Sequence, residues 1–191
     1  MTENKLFRRN IKAEAGRSMV EMLGVLAIIG VLSVGGISGY SKAMAKYKAS
    51  KAMDQLSLLI ANIRTAFSTV SNYGDLSNKT AAQYSIVSRD MYAVSFSKIT
   101  TSSGLVNAFG GKLLLGGETY NTIENAGFFI QYDGLNPESC IQLATADWGT
   151  GGLDRVVVGS DEYKIDSMPV PLSAAYASCK GLTNTITWHF Y

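Results

Sequence analysis

His189 is the only histidine in the chain, so a catalytic role would need partners supplied from elsewhere in the fold. It alternates with apolar residues in Thr185-Ile186-Thr187-Trp188-His189-Phe190, the pattern of a half-buried strand, and a structural histidine outweighs a general base there. No nucleophile elbow, phosphate-binding glycine loop or metal motif occurs. Asp161, Glu162 and Asp166 lack calcium-loop spacing, while Asp147-Trp148-Gly149 and Gly151-Gly152-Leu153-Asp154 read as turns. Cys140 and Cys179 follow no metal-ligand spacing, and the sequence clusters no further ligands around them. They read either as two buried thiols or, in an exported domain, as a disulfide. Closing that loop of roughly forty residues would stabilise the fold by about 4 kcal/mol on the chain-entropy model. The expectation is therefore a protein that is not an enzyme, with no cofactor and no metal.

The most unusual ionisable residue is Glu21. From Met19 to Ile37 it is the only charged residue, and Ser33 is the only other polar one. A carboxylate inside such a run costs about 2.5–3.5 kcal/mol at a membrane centre and less at its edge. Either Glu21 sits at the interface or a partner compensates it. The run is about long enough to span a bilayer as a helix. Ile37-Ser38-Gly39 and Ser41-Lys42-Ala43 are poor signal-peptidase sites, so the run reads as retained. Lys5, Arg8, Arg9, Lys12 and Arg17 precede it and Lys42, Lys46, Lys48 and Lys51 follow, which favours a cytoplasmic N-terminus only weakly.

Charge is as uneven as hydropathy. The formal charge is +2 and charged residues make up 17% of the chain, too little to draw nucleic acid or a membrane surface by long-range attraction. Within residues 1–16, four cations less two carboxylates give +2, so residues 17–191 are neutral.

These groups must be carried by a small set of elements. No proline occurs before Pro137, and Met44, Tyr47, Leu56, Leu59, Ile60, Ile63, Phe67 and Val70 recur at three- and four-residue steps. Residues 18–72 are expected to form one helix of about 80 Å, stopped at Ser71-Asn72-Tyr73-Gly74-Asp75. Its first half is apolar all round. Its second half is amphipathic and needs a domain to cover its stripe. Beyond Gly74, a short helix is expected over 80–91, strands over 112–115, 127–132, 155–158 and 185–190, and short helices over 137–144 and 172–179. The fold class is α+β, with the long N-terminal helix packed on an antiparallel sheet in a C-terminal globular domain.

The stretch Ala15-Gly16-Arg17-Ser18-Met19-Val20-Glu21 follows a basic segment and opens the apolar helix. That constellation resembles the class III signal of type IV pilin precursors. The resemblance implies cleavage by prepilin peptidase between Gly16 and Arg17, with methylation of the new N-terminus. Glu21 becomes the fifth mature residue and meets the N-terminal amine of a neighbouring subunit inside a filament. At Arg17 the sequence departs from the apolar residue usual in the family. Its guanidinium offers a bidentate pairing to a neighbour's Glu21 that an amine cannot make. A leader of sixteen residues, a mature chain of 191 − 16 = 175 residues, and the late Cys140 and Cys179 resemble the type IVb group of conjugative thin-pilus and enteric adhesive pilins, with the cysteines as a disulfide.

The resemblance implies residues 1–16 as leader, 17–40 as apolar core half-helix, 41–72 as amphipathic half-helix and 73–191 as globular domain. The partners implied are further copies of the chain, the prepilin peptidase and the pilus assembly platform of the inner membrane, with no nucleic acid. Lys42, Lys46, Lys48 and Lys51 form a solvated face or pair with acidic residues of adjacent subunits. Location runs from the inner membrane, with the C-terminal domain periplasmic, to an extracellular pilus. The alternatives are a minor pilin or type II secretion pseudopilin and, from another class, a single-pass anchored periplasmic binding module or enzyme.

Overall fold

The computed structural model describes the side chains of residues 19–70, 72–149 and 151–191, and residues 3–18 as backbone only. Residues 1–45 and 46–191 form two separate units. Helix α1, Glu3–Ala66, contributes to both. In the first unit the apolar side chains from Met19 to Tyr40 are exposed throughout.

In the second unit α1 buries Ala49, Ala52, Leu56, Leu59 and Ile63, which fall at the three-, four- and seven-residue steps of one helical face. Tyr47 and Val70, expected on that stripe, are exposed; two alanines take the upper positions instead. The helix also stops earlier than residue 72. Ser68 Oγ donates to Thr65 O at 2.9 Å, an acceptor that a continuing helix would use, while Thr65 Oγ1 back-bonds to Ala61 O at 2.8 Å within the last turn. Phe67 still reaches the core from the turn that follows.

The sheet has five strands in the order β1-β2-β5-β3-β4, all neighbours antiparallel: β1 Leu113–Tyr120, β2 Ile123–Leu135, β3 Leu153–Val158, β4 Asp161–Lys164 and β5 Asn184–Phe190. All four expected strands are present. In central β5, Asn184, Ile186, Trp188 and Phe190 are buried while Thr185, Thr187 and His189 face the other side, the period-2 alternation of a half-covered strand. Register places Phe128 opposite Phe190, Ile130 opposite Trp188 and Tyr132 opposite Ile186. Phe128 stacks on Phe190 at 5.0 Å and Tyr132 meets Trp188 edge-on at 5.4 Å. One hydrophobic cluster joins these residues to Leu56, Leu59 and Ile63. β1 and β2 turn through Asn121 and Thr122, both at positive φ, which matches the right-handed strand twist in a two-residue hairpin.

The expected helix over 80–91 is two shorter turns: α2, Asn78–Gln83, and a 3₁₀ turn, Arg89–Met91. Ser85 adopts a left-handed φ of 56°. Ser85 N then donates to Ala82 O and Ile86 N to Ala81 O, the paired bonds that end a helix in a Schellman motif. The helices expected over 137–144 and 172–179 are α3, Pro137–Ala144, and α4, Leu172–Ser178. Asn136 caps α3 by accepting from Ser139 N at 2.8 Å, with Pro137 at the first helical position where its missing N–H costs nothing.

Candidate functional site

The candidate assembly element begins in the first unit. Residues 19–40 combine helical backbone, an apolar composition sufficient in length to cross a membrane, and complete exposure. Leaving Met19, Val20, Met22, Leu23, Val25, Leu26, Ile28 and Ile29 in water would forfeit roughly 1.5–3 kcal/mol each relative to burial, so lipid or protein must cover them. Glu21 is exposed on this segment. Gly16 and Arg17 lie outside the residues whose side chains are described.

Cys140 and Cys179, both buried, are joined by a disulfide with their Cα atoms 5.8 Å apart. It ties α3 to the end of α4 and closes a loop that contains β3, β4 and α4.

His189 is engaged on the outer sheet face. Its Nδ1 lies 2.7 and 2.9 Å from the two carboxylate oxygens of Glu118 and 3.1 Å from Arg155 Nη2. Arg155 in turn reaches Glu118 at 3.2 Å, Asp154 at 2.6 Å and Glu162 at 3.7 Å. Four strands thus meet in one ionic cluster, with Glu118 from β1, His189 from β5, Asp154 and Arg155 from β3, and Glu162 from β4. No sequence spacing signals it, because Glu118 and His189 are 71 residues apart. The alternation of β5 does place His189 on the partly exposed face where such partners are available.

A second polar cluster joins α1 to the segment before β1. Asp90 Oδ2 accepts from Lys51 Nζ at 2.7 Å and from Gln55 Nε2 at 3.1 Å, and its other oxygen accepts from Ser88 Oγ. Hydrogen bonds from Lys51 and Ser88 hold the Asp90 carboxyl below its ordinary range. The bond to Asp90 and its charge raise Lys51. Lys51 belongs to the basic run noted in the sequence, and its partner lies within the same chain. Burial alone raises the Tyr132 phenol, which therefore stays neutral. Among the described residues no group of acidic, cysteine and histidine side chains has the arrangement of a metal site.

The chain matches a family model described as PilS N terminal over residues 46–190. It is 28% identical over 158 residues to the major structural subunit of bundle-forming pilus from Escherichia coli O111:H-, covering 83% of this chain and 78% of the relative. The same protein from Escherichia coli O127:H6 matches to the same extent. Among solved structures, the fold resembles the type IV b pilin from Salmonella typhi, with a TM-score of 0.56 and 19% identity over 73% of this chain and 96% of that one. It also resembles TcpA, a type IV pilin from Vibrio cholerae El Tor biotype, with a TM-score of 0.52 and 14% identity over 76% and 99%. The long helix followed by an antiparallel sheet is the fold these two share with it. With the family model spanning the globular unit almost from end to end, the chain belongs to the PilS N-terminal family.

Proposed function

We propose that this protein is the major structural subunit of a type IVb pilus. The observation that carries the reading is the fully exposed apolar helix of residues 19–40 in the same chain as a disulfide-closed globular unit. A soluble monomer cannot leave that helix in water, whereas a filament core made from many copies covers it. The related major subunits of bundle-forming pilus support the same reading.

In this reading residues 1–16 are a leader that prepilin peptidase removes after Gly16, so the mature chain starts at Arg17. Residues 17–40 anchor the subunit in the inner membrane, with the globular unit periplasmic, until the assembly platform extracts it. Copies then bundle through residues 17–40 while 41–72 and 73–191 build the outer wall. Glu21 pairs with the new N-terminal amine or with Arg17 of the next copy, which sets the register of subunits more than it stabilises them. The chain acts by polymerising and catalyses nothing.

Intact mass and N-terminal sequencing of protein from sheared surface material test this. Abundant chain beginning at Arg17 is the expected result. Cleaved chain confined to the envelope would point to a minor pilin or pseudopilin. An uncut leader in cells with active prepilin peptidase would return the anchored periplasmic module to first place.

A further inference from the structure

A groove of about 750 Å³ opens between α2 and the turns that follow it, within the size range of small-molecule sites. Its floor is apolar, with Ala82 and Val87 both buried. Phe96 lines it with a ring that is 52% exposed, and Tyr92 stands beside it with its hydroxyl donating to Ala82 O at 3.3 Å. Ser85 adds a polar rim, and Arg89 is the single cation in the lining.

Two features make this more than a dent. The first is electrostatic. Arg89 is exposed, and among the described residues no carboxylate lies within ion-pair distance of it. The neighbouring Asp90 is occupied on both oxygens by Lys51, Gln55 and Ser88, so it does not neutralise Arg89. The second is rigidity. The same Asp90 bonds fix the Arg89–Met91 turn to α1, Met91 is buried, and Asn62 Nδ2 holds Ile86 O at 2.9 Å. The walls are therefore formed before any ligand arrives, and little ordering is needed on binding.

A ligand matching this lining needs a flat apolar face for Phe96, hydroxyls for the rim and one negative charge for the guanidinium fork. The fork fits carboxylate and phosphate alike, but one guanidinium neutralises the single charge of a carboxylate and only part of the nearly double charge of a phosphate monoester. A sugar ring has an apolar face and a hydroxyl edge. We propose that the groove bounded by Arg89 and Phe96 is a binding site for a carboxylated sugar. The proposal stands on this groove alone and does not depend on polymerisation.

The test uses the full chain in detergent and saturation-transfer NMR with two probes that differ by the carboxylate, methyl glucuronide and methyl glucoside. The expected result is binding of the glucuronide at least tenfold tighter than the glucoside. Arg89→Gln removes that preference, and Phe96→Ala weakens both sugars by threefold or more. Both side chains are exposed, and unchanged tryptophan fluorescence verifies that each variant is folded. Equal binding of the two sugars, no binding of the glucuronide, or an undiminished preference in Arg89→Gln would each overturn the proposal.

Discussion

The side chain of Asn78 does for Leu115 what a sixth strand would do. Leu115 N donates to Asn78 Oδ1 at 2.9 Å, and Asn78 Nδ2 donates to Leu113 O at 2.8 Å. Asn78 is fully buried, and Ser77 beside it bridges to Gly116. β1 is an edge of the sheet, and an unpaired edge invites pairing with another chain. With Leu113 N donating to Leu105 O at 3.1 Å, one amide and one bridge close this edge from Leu113 to Gly116.

Replacing Asn78 by leucine keeps the volume and leaves the Leu113 carbonyl and the Leu115 amide unpaired. Buried backbone groups left so cost about 1–3 kcal/mol each, and the expected loss of stability is about 2–4 kcal/mol. Urea unfolding of the detergent-solubilised chain, followed by fluorescence of buried Trp188, measures it. A loss below about 1 kcal/mol would mean that water or a shifted backbone replaces the amide.

Much of this architecture was legible beforehand, and the exceptions have physical causes. The apolar run from Met19, the proline that opens α3, and the alternation of β5 are local signals, and each element lies where its signal places it. β4 was not legible because Asp161-Glu162-Tyr163-Lys164 looks like a solvated loop. It becomes a strand by pairing with β3, Asp161 opposite Val158 and Lys164 opposite Arg155, and its charges suit an exposed edge. Asn78, the Asp90 cluster and the partners of His189 were equally hidden. Each depends on residues brought together from 35 or more positions away, which no periodicity encodes.

Stability should depend on pH through Lys51 and Asp90. The Asp90 carboxyl lies below its ordinary value in the fold, so its contribution is full above the unfolded value of about 3.9. That contribution is lost as pH falls through the lower folded value. Lys51 is raised above 10.5, so its part is full below that value and lost as pH rises through the folded one. Asp90→Asn should therefore lower stability at pH 7, and the gap to the unsubstituted chain should shrink below pH 4. Melting temperatures at pH 7 and pH 3 check it; a gap that widens in acid would reverse the assignment.

The disulfide between Cys140 and Cys179 closes a separation of 39 residues. On the chain-entropy model a loop of that length contributes about 4 kcal/mol. The double variant Cys140→Ala/Cys179→Ala should lose roughly that amount, together with the cost of the space left by two buried sulfurs. The α3–α4 lobe should loosen first, which hydrogen exchange of residues 137–144 and 172–178 would reveal as faster than in α1. Uniform acceleration across the sheet would mean the bridge supports the whole unit rather than the lobe.

Glu21 supplies the sharpest test of assembly. It is the single carboxylate between Met19 and Tyr40, on a segment whose apolar side chains are exposed. Glu21→Ala should therefore leave the stability of the globular unit unchanged, within about 0.5 kcal/mol as for an exposed substitution. If Glu21 pairs with a positive charge of the neighbouring copy, as proposed, the variant abolishes filaments in sheared material, because that charge would be left unpaired in an apolar core. Arg17→Met separates the two candidate partners. If the guanidinium is the partner, this variant also fails to assemble or gives filaments that dissociate at lower salt. If the N-terminal amine is the partner, Arg17→Met assembles normally and only Glu21→Ala fails.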